Sequence, residues 1–143
     1  IVSRDVLEHI ADPAEMLRGL GKLLRPGGRM YVGIGQLYYA PRGDHGRTQL
    51  PLPWMHTFLP ERLVFWWASR GRSPVREPMD MDLNGYTPRQ FRDAYRASGL
   101  EVERLVANAG TKRLFPAFRI LARVPGLERA CTINHYVTLR RPA

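Results

Sequence analysis

The chain has 143 residues, 44% of them apolar, which suits one domain with a buried core and argues against disorder. No apolar run approaches the roughly 20 residues that span a bilayer, and Ile1-Val2-Ser3-Arg4-Asp5 meets charge too early for a signal peptide. The net charge of +9 rests almost wholly on arginines scattered along the chain, with Lys22 and Lys112 the two lysines, so nucleic acid is not expected as a partner. Cys131, the single cysteine, has no partner for a disulfide or a zinc site. It is expected to be a small buried residue of a cytoplasmic protein.

In chain order, Asp12-Pro13-Ala14-Glu15 opens a helix: Asp12 caps, Pro13 suits the first position, and Glu15 completes a capping-box pattern. Met16, Leu17, Leu20, Leu23 and Leu24 then fall on one face. Arg25-Pro26-Gly27-Gly28 turns the chain into a strand marked by Met30, Val32 and Ile34, where Gly33 and Gly35 permit close approach. Strand end, helix, turn and strand make half of a βαβ crossover, which predicts a parallel pairing.

Residues 36–83 form a long, aromatic insert without sustained period, bearing Tyr38, Tyr39, Trp54, Met55 and Phe58. Within it, residues 60–69 read as a helix ended by Gly71. Leu63, Val64, Phe65, Trp66 and Trp67 make that helix apolar on more than one side, so it needs cover on both. Thr87-Pro88-Arg89-Gln90 opens a second clear helix with Phe91, Ala94 and Tyr95 inward, closed by Gly99. Residues 100–107 are expected as a strand with Val102 as its core marker, 114–121 as a helix interrupted near Pro116, and 132–139 as a final strand.

The run from Ile1 to Pro13, with Val6-Leu7-Glu8-His9 and Asp12-Pro13, followed by Leu23-Leu24-Arg25-Pro26-Gly27-Gly28, resembles one block of the class I S-adenosylmethionine-dependent methyltransferases. In that family the first stretch follows the fourth strand and the second leads into the fifth. The Thr87 helix ending at Ser98-Gly99-Leu100 resembles the one before the sixth strand, and the final strand matches the antiparallel seventh. The resemblance implies an α/β, Rossmann-like sheet of which this chain carries the C-terminal half. Residues 1–35 and 84–143 would belong to the methyltransferase core, and 36–83 would be a substrate lid.

The same resemblance implies methyl transfer from S-adenosyl-L-methionine to a small-molecule acceptor. It places Ser3, Arg4 and Asp5 against the cofactor, with Arg4 acting mainly through its backbone. The competing expectation for Asp5 is that it caps the following turn. Asp5, Glu8 and His9 also match the acidic-x-x-Glu-His pattern associated with a divalent metal in ubiquinone-pathway relatives, but a structural role for the pair is the stronger expectation and no metal is assigned. His9 is the best general-base candidate of the block. In the insert, His45 and His56, with Asp44, are further candidates to deprotonate a hydroxyl acceptor, and Tyr38 and Trp54 are expected to contact that acceptor.

One departure from the family is large: no GxGxG-like loop and no ribose-binding acid stand in this sequence. Activity is therefore expected of a longer parent protein and not of the chain alone. A cofactor-less scaffold and an RNA-directed methyltransferase are the alternatives. The apolar insert is expected to cover an acceptor pocket, a second subunit of a homodimer, or a membrane surface.

Overall fold

The computed structural model describes residues 1–70, 73–111 and 113–143; Gly71, read as a helix terminator, lies outside the described residues. Strand β1 (Val2–Arg4) passes through a 3-10 turn (Leu7–His9) into helix α1 (Pro13–Lys22), which leads to strand β2 (Arg29–Ile34). The two strands pair in parallel, Ser3 opposite Val32, as the crossover pattern predicts. Asp12 caps α1 by accepting from the Glu15 N–H at 2.9 Å. The sequence suggested a reciprocal box, but the cap that forms is the one-way bond from Asp12.

Two short helices, α2 (Met55–Phe58) and α3 (Glu61–Ala68), and a 3-10 turn (Pro78–Met81) organise the insert. Helix α4 (Pro88–Ala97) then starts on a complete capping box, in which Thr87 accepts from the Gln90 N–H and Gln90 accepts from the Thr87 N–H. Thr87→Ala is expected to cost about 1 kcal/mol of stability, read as a lower urea midpoint.

Strand β3 (Glu101–Ala107), helices α5 (Phe115–Leu121) and α6 (Glu128–Cys131), and strand β4 (His135–Arg140) complete the chain. The four-stranded sheet has the order β1-β2-β4-β3, with β4 antiparallel to both neighbours. The fold is thus α/β with a mixed sheet, and its last strand runs antiparallel as expected.

One sheet face carries the main core. Met30, Val32, Ile34, Val137 and Leu139 meet Leu17 and Leu24 from the α1 side, Phe91 and Tyr95 of α4, and Leu7. The opposite face is open: Val2, Tyr31 and Tyr136 are exposed there, and with Arg4, Gly33 and Val106 they line a groove of about 470 Å³. The insert packs around a second cluster of Tyr38, Ala68, Met81 and Leu83.

Three local expectations are corrected. Leu23 is exposed because the buried stripe of α1 runs Leu17, Gly21, Leu24, which places Leu23 about 100° around the axis from Leu24. Val102 is exposed because β3 is an edge strand with a register shift between Val102 and Arg104. Pro116 sits in the first turn of α5, where its missing N–H costs no helix bond, so the helix is uninterrupted.

Candidate functional site

The carboxyl ends of parallel strands are where open α/β sheets hold ligands, and the residues after β1 and β2 converge there. Asp5 leaves β1 with a left-handed backbone (φ 53°) while its N–H donates to Gly33 O at 2.8 Å, extending the ladder by one bond. Its carboxylate lies 3.2 Å from the Arg4 guanidinium and remains half exposed. It makes no cap for the following turn: Val6 holds the cap position, without a side-chain bond. Gly35, one residue past β2, leaves room for this carboxylate: a Cβ there would stand 2.7 Å from Asp5 Oδ1 and push it aside.

Behind Asp5, the turn Leu7–His9 splits two adjacent side chains to opposite environments. Glu8 points inward and is 3% exposed, and neither carboxylate oxygen has a hydrogen-bond partner among the described residues. Burial raises its pKa above the ordinary carboxylate value, with its own and the Gly35 backbone N–H dipoles and His9 opposing the rise and Asp5 adding to it. His9 points outward, and its Nδ1 lies 2.5 Å from the backbone carbonyl of Asp82 and 3.4 Å from that residue's Oδ2. A carbonyl only accepts, so Nδ1 carries a proton, and Nε2 is the accepting nitrogen of the neutral ring.

His45 is fixed by the same logic, with the opposite nitrogen. Its Nε2 donates to Gln36 O at 3.0 Å, which leaves Nδ1 as the acceptor. The two imidazoles meet edge to face with ring centres 5.7 Å apart. Asp5, Gln36, His45 and Asp82 all adopt positive φ without being glycine, and such strained positions gather at functional sites. Asn84 clamps the turn: its Nδ2 donates to Leu7 O at 2.7 Å and Ile10 O at 2.9 Å, and its N–H donates to Glu8 O.

Sequence reasoning missed Asp82 and Asn84. Both lie more than 70 positions from the turn they hold. Their residue types in a stretch flanking Gly85 were the available signal.

The other candidates separate into a packed group and a cleft. His56 is 4% exposed; its Nε2 donates to Tyr38 O at 2.6 Å, and its Nδ1 is 4.0 Å from the buried Asp44 carboxylate. Asp44 itself accepts from the Thr48 hydroxyl at 2.5 Å and from the Thr48 N–H. Tyr38 stacks edge-on against Tyr39 and His56 within the second core cluster, and burial raises its phenol pKa. These side chains organise the insert from within, and neither His56 nor Tyr38 reaches an open surface.

Trp54 instead lines a cleft of about 300 Å³ with Pro41, Pro53, Leu114, Phe115 and Phe118. Its indole N–H donates to Ala130 O at 2.8 Å, and its ring lies 6.1 Å from that of Phe118. Gln36, which holds His45 through its carbonyl, stands at the edge of the same cleft.

Asp5, Glu8 and His9 do not converge on a common point for a cation. Among the described residues no three His, Cys, Asp or Glu side chains stand close enough to hold a metal ion. Cys131 is buried, and desolvation raises its thiol pKa, as befits a packed residue. No helix among the described residues is long and apolar enough to cross a membrane.

Thirty-two residues of the chain are 53% identical to the ubiquinone biosynthesis O-methyltransferase of Caulobacter vibrioides, a match over 22% of this chain and 13% of that protein. Over those residues the chain is similar to that methyltransferase, in keeping with the resemblance read in the sequence. It spans only a small part of that curated relative's length.

Among solved structures, a chain of the complex between the Haloferax volcanii Trm112 methyltransferase activator and its putative methyltransferase aligns over 99% of this chain. That alignment covers 53% of the solved chain, at 15% identity and a TM-score of 0.48. No family model matches. The resemblance read in the sequence makes S-adenosylmethionine the cofactor to test against the site. Of the residues the resemblance assigned to it, Asp5 carries a half-exposed carboxylate at the carboxyl end of β1, paired with the Arg4 guanidinium at 3.2 Å and making no capping bond.

Proposed function

We propose that this chain forms the acceptor side and part of the cofactor wall of a methyltransferase that acts on a small hydroxyl-bearing molecule. The observation that carries the reading is the His9–Asp82 pair. It holds an imidazole by Nδ1 and turns Nε2 away from that bond, beyond the strand ends and next to Glu8 in the chain. S-adenosylmethionine, when bound, supplies a methyl group on a sulfonium, open to in-line displacement. Ser3 and Arg4, through backbone groups, and Asp5, through its carboxylate, are the residues that would hold it.

His9 takes the acceptor proton at Nε2, and the Asp82 carbonyl and carboxylate stabilise the imidazolium that forms. His45 packs against His9 and limits its rotation. Trp54 and the apolar cleft beside it hold the body of the acceptor and exclude water. His56 and Tyr38 support the insert from inside. Residues 36–83 act as the acceptor cover, and residues 1–35 and 84–143 as the sheet domain.

The test uses the intact protein, S-adenosylmethionine calorimetry and transfer of a labelled methyl group. Asp5→Ala is expected to weaken cofactor binding about tenfold, the loss of one charge interaction. Trp54→Ala should raise the acceptor KM with cofactor affinity unchanged. A wild-type protein that neither binds the cofactor nor transfers the label would sink the reading.

A further inference from the structure

Helix α3 turns an apolar stripe to the outside. Leu63, Trp66 and Trp67 follow one another at i, i+3 and i+4, which is a single helix face, and Arg70 follows in the turn just past the helix end. They are 47%, 58% and 39% exposed at Leu63, Trp66 and Trp67, and Phe58, in the turn before, is 77% exposed. The other face buries Val64 and Ala68, and the insert core of Tyr38, Met81 and Leu83 fixes how the helix sits. An ordinary surface helix reverses this pattern, with polar side chains in the outer stripe.

We infer that this face docks on an anionic lipid bilayer. Its charge matches such a surface: Arg62 and Arg70 flank the aromatics on α3, Glu61 in the first turn is the helix's one acid, and the chain carries a net +9. The guanidinium of Arg70 lies 4.1 Å from the centre of the Trp66 ring and 4.3 Å from that of Trp67. This keeps the cation at the rim of the apolar patch, at the level where lipid phosphates lie.

A shallow pocket of about 170 Å³ opens beside it, lined by Thr48, Gln49, Trp67 and Arg70, with Arg47 across it bound to Asp82 at 3.4 Å. Its Gln49 amide and Arg70 guanidinium donors suit a headgroup phosphate, while the buried Thr48 hydroxyl is committed to Asp44. Tryptophan with arginine is the composition that favours the membrane interface, and an eight-residue helix is long enough to lie in that plane but not to cross it.

Co-sedimentation of the intact protein with vesicles tests this. The protein should pellet with phosphatidylcholine vesicles containing phosphatidylglycerol and stay in solution with phosphatidylcholine alone. Phe58→Glu combined with Trp66→Glu changes two side chains that are more than half exposed, so thermal melting should be unaltered. The same pair should lower vesicle affinity at least about tenfold. Arg62→Gln with Arg70→Gln should abolish the preference for anionic vesicles. Failure of the wild-type protein to pellet, or unchanged pelleting of the Phe58/Trp66 variant, would overturn the proposal. So would a wild-type dimer that the same variant splits while vesicle binding is absent.

Discussion

His9→Asn is expected to slow methyl transfer by about 10²- to 10³-fold while leaving the fold and cofactor affinity in place, which is the size expected for losing a general base. The choice of asparagine matters. Its amide can still donate to the Asp82 carbonyl that His9 Nδ1 meets at 2.5 Å, but it offers no basic nitrogen where Nε2 stands. His9→Ala removes both functions and should slow turnover as much while also loosening the segment around Asp82. If the asparagine variant restored the activity that alanine lost, His9 would be a structural link and not a base. Asp82→Asn keeps the backbone carbonyl and removes the charge, so its smaller effect on kcat would measure how much the carboxylate stabilises the imidazolium.

The parts of this arrangement that sequence made legible are those set by near neighbours. The Asp12 cap, the Pro-Gly-Gly turn, and the Thr87–Gln90 box each depend on residues three or four positions apart, and each forms where its residues stand. The parallel pairing of β1 and β2 followed from the length and handedness of one crossover. The site is different in kind. His9 acquires its tautomer from Asp82, and the turn it sits on is held by Asn84, contacts between residues more than 70 positions apart.

No periodicity announces such contacts, so the sequence offered His9 as the best base of its block and His45 and His56 as further candidates with nothing to separate those two. Folding separates them by the surroundings of each ring: two stand at the surface beside each other, and one is enclosed with Asp44 and Tyr38. The same holds for α3, whose two apolar faces were legible, whereas only the packing of the insert decides that Val64 faces inward and Trp66 outward.

Stability should fall by on the order of 3 kcal/mol as pH drops from 6.5 to 4, through one buried side chain. His135 begins β4 and is 1% exposed; its Nδ1 has no hydrogen-bond partner among the described residues, and the Tyr95 ring lies 6.3 Å away. Burial first, then the Arg92 guanidinium, depress its pKa from 6.5 to about 4, and Glu128 opposes them. Arg92 is itself held by Glu128 in a two-bond pair, with the longer bond 3.0 Å.

Because the unfolded chain takes up the proton near pH 6.5 and the folded chain does so only near 4, unfolding binds protons throughout that interval. The contribution is therefore complete above pH 6.5 and is lost as pH falls. Glu8 acts with the opposite sign. Its raised pKa makes its contribution complete below 4.5 and lost as pH climbs through the folded value, so as pH falls toward 4.5 Glu8 opposes the loss from His135. Two variants separate them in denaturant melts across this range. His135→Phe should flatten the acid limb, and Glu8→Gln should raise stability at neutral pH while leaving the His135 limb intact. A His135→Phe protein that still lost the full wild-type increment between pH 6.5 and 4.5 would assign acid sensitivity to another group.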